Sequence, residues 1–348
     1  MLDKGIVFTY GYYTNGCTKP LTIIMFGYKS TLELSKAFFI NLFTFIILFV
    51  PRSVATCIAN VVGFSAFFVL RGRRRAILEV LRVIQPQANG RLRLHTGWRT
   101  LMNYANNFAD FLRLYHMEKD ELLGITRIEG IERLERALKK YGGAVVISAH
   151  LGNWEIGSNF IAACGAPLVG VVESGGPGEA FYRLFKRYRQ RFGTNLIALE
   201  DPSVGLKLRR YLKNGFVVGL IADRDIAGTG TEVQFFGRRS VFPTGAAFLS
   251  LVTNTPIFPS FYLRLQGKGD KVYYGLIEEP IQFKRGEDLR EDVGRLTGMI
   301  VRCIEEMVRR YPDQWFCFPP PWQGVDKGEN GRKGEGERGR GGDERVSA

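Results

Sequence analysis

The chain has 348 residues, enough to bury a large core in one α/β domain with appendages. Hydrophobic residues make up 45%, charged residues 24%, and the net charge is +14 with 26 Phe against 3 His, so an ordinary globular balance is combined with a basic, phenylalanine-rich composition that points to membrane lipid at least as readily as to nucleic acid. The five cysteines (Cys17, Cys57, Cys164, Cys303, Cys317) are odd in number and form no CxxC pair, so neither a zinc knuckle nor a disulfide framework is indicated and the body is expected in a reducing compartment.

Residues 1–36 form a lead-in of mixed character, with a glycine and tyrosine cluster (YGYYTNG, 10–16) that carries no assignment. Residues 37–70 read as membrane-associated apolar helices. The run AFFINLFTFIILFV (37–50) ends at Pro51 and Arg52; as a helix it measures about 21 Å at ~1.5 Å per residue, short of the ~30 Å hydrocarbon core. A second apolar run, 54–70, is followed at once by RGRRR (71–75), the flank expected on the cytoplasmic side. From 73 to 116 apolar residues recur at helical spacing (Ile77, Leu81, Ile84, then Leu101, Tyr104, Phe108, Phe111), which predicts an amphipathic pair beside the membrane.

Beyond this, residues 71–323 alternate strand-like and helical patterns. Strands are predicted over 144–149, 168–172, 195–199, 216–222, 257–263 and 272–277. Helices are predicted over 131–140, 153–163, 180–192, 204–213, 245–253 and 287–310. The alternation implies an α/β domain whose largely parallel central sheet is flanked by helices on both faces. Residues 324–348 are a glycine-rich mixture of acids and bases with no net charge, expected to be a disordered tail.

The sharpest chemical signal is SAHLGNWE (148–155), which places His150 at the carboxyl end of a strand-like run and Glu155 five positions later. Ends of parallel strands are where α/β proteins keep their sites. On a continuous helix a spacing of five would turn the two side chains apart, so convergence requires His150 in a loop, with Gly152 making the turn and Asn153 capping the next helix. A carboxylate-held histidine is a general base; the competing reading is a histidine packed under a helix start whose acid serves the helix dipole. Helix 180–192 is basic and amphipathic, and Arg189 and Arg191 suit bidentate phosphate contact. IADRD ends another strand-like run, so Asp223 and Arg224 belong on the same rim as His150, as an ion pair or with Arg224 on the acceptor. Asp223 and Asp225 also form a DxD-like triplet of the kind that holds a divalent metal in glycosyltransferases. Pro243 and Gly245 stand at a helix start whose amides suit a phosphate or oxyanion.

AHLGNWE resembles the H-x4-D/E motif of glycerolipid and lipid A acyltransferases, in the form found in the bacterial lipid A late acyltransferases and the related phosphatidylinositol mannoside acyltransferases. RYRQRFG (187–193), GLIADRD (219–225), VQFFGRRSVFPTGAAFLSLVTNTPIFP (233–259) and YPDQWFCFPPPW (311–322) extend the resemblance in order over about 71–322. It implies a glycerolipid-acyltransferase-like fold and transfer of a fatty acyl chain from acyl carrier protein or coenzyme A to a hydroxyl of an anionic membrane glycolipid such as a lipid A precursor. His150 and Glu155 carry over as the catalytic pair, and Asn153, Arg189, Arg191, Asp223 and Arg224 are expected to bind substrate. No metal and no cofactor beyond the acyl thioester is expected, nor a nucleic acid, and the place of action is the inner membrane with the catalytic domain facing the cytoplasm. Two other readings remain: a metal-dependent glycosyltransferase built on Asp223 and Asp225, and a non-catalytic basic lipid-binding protein.

Overall fold

The computed structural model describes residues 6–14, 17–25, 46–173, 179–266 and 271–322. The tail at 324–348 and the greater part of the first apolar run lie outside the described residues, although 46–49 are helical. Within the lead-in, β1 (Ile6–Thr14) and β2 (Cys17–Met25) pair as an antiparallel hairpin.

Three helices follow: α1 (Arg52–Val69), α2 (Arg71–Ile84) and α3 (Gly90–Leu114), the last capped by Asn89, whose side chain accepts the Leu92 amide proton at 2.8 Å. Helix α1 buries its small residues, Ala55, Ala59 and Gly63, against α3; a Cβ on Gly63 would lie 2.5 Å from the Met102 Cα, so the two backbones are as close as this residue type allows. Phe67 is buried as well, but other large residues turn outward: Val61, Phe68 and Val69 are 60%, 51% and 75% exposed. Among the described residues α1 is the one helix long and apolar enough to cross a membrane. Helix α2 departs from the expected membrane-side pair, because Ile77, Val80, Leu81 and Ile84 enter the main core and take its apolar face away from any lipid.

After α4 (Lys119–Gly124) the chain builds a seven-stranded sheet of β3 (Thr126–Glu129), β4 (Ala144–Ser148), β5 (Leu168–Val172), β6 (Asn195–Ala198), β7 (Val217–Ile221), β10 (Ile257–Arg264) and β11 (Tyr273–Ile277). Their spatial order is β3-β11-β10-β4-β7-β5-β6, parallel at every pairing except β10 with β11. Strand β4, AVVIS, is buried on both sides as a central strand of such a sheet must be. The sheet is covered on one face by α5 (Ile131–Tyr141), α6 (Trp154–Ala163) and α7 (Glu179–Arg189), and on the other by α2, α8 (Val204–Lys213), α9 (Gly245–Thr253) and α10 (Leu289–Arg310). A hairpin, β8 (Thr231–Phe235) and β9 (Arg238–Phe242), turns through Phe236 and Gly237, both at positive φ, and packs on α10. The predicted α/β class therefore holds.

The topology fixes where a site forms. From β4 the chain leaves to α6 on one face, and from the adjacent β7 it leaves toward α9 on the other. Divergent connections open a crevice at the carboxyl ends of those two strands.

Candidate active site

Ser148 and Ile221 are partners in the parallel β4–β7 ladder. Two residues beyond each stand His150 and Asp223, which the register alone brings side by side. Asp223 is fully buried; its Oδ1 accepts the His150 Nδ1–H at 2.7 Å, while Oδ2 accepts the His150 backbone N–H and the Trp315 Nε1–H, each at 2.9 Å. Burial pushes the Asp223 carboxyl up, but the attraction of His150 and the hydrogen bonds from His150 and Trp315 prevail and hold it below the usual carboxylate range. An ionised Asp223 fixes the proton on Nδ1, leaving Nε2 as the basic nitrogen. The imidazole meets the Trp154 ring edge to face at 5.0 Å and keeps about a quarter of its surface open.

The loop that carries His150 is tied down on several sides. The Phe316 amide donates to His150 O at 2.7 Å, the Gly152 amide to Gln314 O at 2.8 Å, the Asn153 amide to Tyr262 O at 2.6 Å, and Asn107 Nδ2 to Gly152 O at 2.6 Å. Gly152 has φ +65°, and a Cβ there would sit 1.9 Å from Tyr262 O, so this turn accepts glycine alone.

The expectation that Glu155 holds His150 is corrected by this geometry. Glu155 lies in the first turn of α6 and faces α7, where it accepts from Arg189 Nε at 2.8 Å and Nη2 at 2.5 Å and from Trp154 Nε1 at 3.1 Å. A helix starting at Trp154 turns Glu155 toward its neighbouring helix, and the carboxylate that reaches the imidazole comes from β7 instead. Arg189 is accordingly a partner of Glu155 within the site wall. Asn153 is 1% exposed and caps α6 by accepting the Ile156 amide proton at 3.2 Å, while its Nδ2 donates to Tyr273 Oη at 3.0 Å; it serves the fold rather than facing a substrate. Arg191 donates to Tyr115 O at 2.9 Å and lies over the Phe192 ring, away from the crevice. Asp223 pairs with His150, not with Arg224, which stands exposed on the rim. The DxD-like triplet is taken apart: Asp225 accepts the Gly230 amide proton at 2.8 Å within its own loop.

His150, Asp223 and Cys317 bring one ligand atom each to within 4.8 Å of one another. Both Asp223 oxygens already accept N–H donors, and burial pushes the Cys317 thiol well up, so this donor set suits a proton relay better than a cation. Trp315 and Cys317 are the functional neighbours that residue-by-residue reading missed; their one signal was the block 311–322.

A cavity of about 900 Å³ opens from His150 and straddles the ends of β5 and β7. One lobe runs under α6 and α7, the other under α8 and α9. Glu155, Glu173, Arg189, Arg209, Arg224 and Asp225 bring charge to a wall that is largely apolar, and Thr244, Gly245 and Ala246 present the start of α9 to it. Leu206, Phe248 and Ile226, at 72%, 50% and 43% exposure, line the same opening.

A histidine hydrogen-bonded to a buried carboxylate thus stands at the switch point of a mostly parallel sheet, beside a large and largely apolar cavity. The model of the bacterial lipid A biosynthesis acyltransferases matches residues 27–323, and the chain belongs to that family. It is similar to the phosphatidylinositol mannoside acyltransferase of Mycolicibacterium smegmatis (strain ATCC 700084 / mc(2)155), 28% identical over 227 residues that span 64% of this chain and 71% of that one. The enzyme of the same name from Mycobacterium tuberculosis (strain CDC 1551 / Oshkosh) is 29% identical over 229 residues, 64% of this chain and 69% of that one. Among solved structures, the 1-acyl-sn-glycerophosphate acyltransferase PlsC from Thermotoga maritima matches with 16% identity and a TM-score of 0.31 over 72% of this chain and 97% of that chain. The chain is thus an acyltransferase by family.

Proposed function

We propose that this enzyme transfers a fatty acyl chain from a thioester of acyl carrier protein or coenzyme A to a hydroxyl of an anionic membrane glycolipid of the phosphatidylinositol mannoside or lipid A precursor kind. The observation that carries the reading is the His150–Asp223 pair at the mouth of the apolar cavity. His150 Nε2 takes the proton of the acceptor hydroxyl, the resulting oxygen nucleophile attacks the thioester carbonyl, and the tetrahedral intermediate expels the thiolate, which recovers the proton from the imidazolium. Asp223 stabilises that imidazolium and holds its orientation. The acyl chain passes directly to the acceptor: Cys317 is buried with a raised thiol pKa, which leaves it a poor nucleophile for an acyl-enzyme. The first amides of α9 supply donors to the oxyanion, and Arg224 and Arg209 offer charge to an acceptor phosphate.

Labelled acyl carrier protein and coenzyme A thioesters, offered side by side with phosphatidylinositol mannosides and with a lipid A precursor, test this. The expected result is label in an ester of the glycolipid fraction with at least one donor. Label that stays on the donor in every combination refutes the reading.

Attachment to the inner membrane, with the catalytic domain on the cytoplasmic side where acyl thioesters are made, is part of this proposal; the outward apolar face of α1 and the exposed Arg71, Arg73 and Arg75 beside it support it. Washing membranes with concentrated salt is expected to leave the full-length protein in place, because screening removes charge attraction and not apolar burial. Substituting Val61→Asp and Phe68→Asp together is expected to shift it toward the soluble fraction. Complete release of the unsubstituted protein by salt would show that charge alone holds it.

A further inference from the structure

Across the sheet face beneath α6 and α7, four residues stand in one register row: Val146 of β4, Gly219 of β7, Gly170 of β5 and Leu196 of β6. All four line the cavity, and so do Leu168 deeper along β5 and Ser148, Ile221 and Val172 nearer His150. The two middle positions of this row, at the centre of a parallel sheet, are glycine. Glycine in a strand interior weakens the strand and marks a place where something approaches the backbone closely. Elsewhere in this fold the close approach is made by the protein itself: a Cβ on Gly157 or Gly275 would meet the Tyr262 ring at under 3.0 Å. Among the described residues, a Cβ at Gly170 would meet only Leu196 Cδ2, at 3.7 Å, and one at Gly219 only Leu168 Cδ1 at 3.5 Å and Val169 O at 3.9 Å. Among the described residues, no atom of α6 or α7 comes within 4 Å of the Cβ position at either glycine. Gly170 and Gly219 are also only half-buried, although Val169 and Val218 beside them in the strands are fully buried.

The pair therefore cuts a trough into an apolar sheet face, open toward His150 and closed at its far end by Leu168. From Val172 to Leu168 it follows four residue steps of strand, roughly 13 Å at ~3.3 Å per residue. We infer that this trough, rather than the lobe under α8 and α9, receives the acyl chain being transferred, and that Gly170 and Gly219 set the length and width of chain it accepts. The inference rests on the acyl-transfer reading above. A straight saturated chain fits a groove without side chains along its floor; a methyl or isopropyl group added at the middle of the floor blocks the deep half and leaves the half next to His150 open.

Both glycines have ordinary strand φ values, so substituted proteins are expected to fold. The test measures kcat/KM for a series of saturated acyl thioesters from octanoyl to stearoyl, with Gly170→Ala, Gly219→Ala, Gly219→Val and, on the opposite lobe, Val252→Phe. The expected result is a shift of preference toward shorter chains in the glycine variants. It is largest for Gly219→Val, whose long-chain values fall about 10-fold or more while short-chain values stay near those of the unsubstituted enzyme. Val252→Phe leaves the profile in place. A uniform loss across the series in the glycine variants, an unshifted profile, or a shift produced by Val252→Phe instead would overturn the assignment of the trough. An unsubstituted enzyme that transfers no member of the series would overturn the acyl-transfer reading itself.

Discussion

Replacing His150 by alanine is expected to lower the rate of acyl transfer by at least ~10², the lower end of what a positioned general base contributes. The loss should fall on kcat, since the imidazole acts on the acceptor hydroxyl in the transition state and occupies only one corner of a large cavity. The fold should survive: the loop is held by backbone hydrogen bonds with Phe316, Gln314 and Tyr262, none of which involves the imidazole. A variant that keeps more than about half of the activity with both substrates in excess would contradict base catalysis by this residue.

Asp223→Asn is the second large effect, expected at roughly 10² to 10⁴ in kcat with KM little changed. The amide is nearly the same shape, so Trp315 and the His150 backbone keep a partner. It cannot, however, neutralise the imidazolium, and it no longer selects the Nδ1–H tautomer that frees Nε2. The carboxylate also makes a pH-dependent contribution to stability. Because its folded pKa is lowered, that contribution is complete above the unfolded value near ~3.9 and is lost as the pH falls through the lowered folded value. Thermal midpoints followed from neutral pH into the acid range should show a shallower acid decline for Asp223→Asn. An identical decline in both proteins would mean that the lowered pKa does not contribute to folding.

The fold class was legible because its causes are local. The apolar runs of β5 and α9 and the amphipathic pattern of α8 have bounds set by turn and cap residues in the sequence, and the structure reproduces 168–172, 204–213 and 245–253. Strand β3 is only four residues long and has no strong pattern, and it was missed. The β8–β9 hairpin was missed too, because its turn, Phe236-Gly237, puts a bulky residue at positive φ where Asn or Asp is the usual sign. The position of His150 was legible from its place at a strand end, and so was the role of Gly152.

The identity of its partner was not, because a spacing of five along the chain says nothing about which strand lies next to β4. Asp223 is far from His150 in sequence and reaches it only through the strand order and the Ser148–Ile221 register. The same holds for Asn153, whose side chain the cap and the Tyr273 hydroxyl consume, and for the trough, which exists only because Gly170 and Gly219 share one row. Glu155 and Arg189 both lie in the site, as their motifs suggested, but as partners of each other.

The measurement that bears most directly on the account is a double-mutant cycle in kcat with His150→Ala, Asp223→Asn and the two combined. If Asp223 acts through His150, removing the imidazole removes the purpose of the carboxylate, and the combined variant should be no slower than His150→Ala alone, within about a factor of two to three. If the two losses multiply, Asp223 performs work that does not pass through His150, and the relay described here is contradicted.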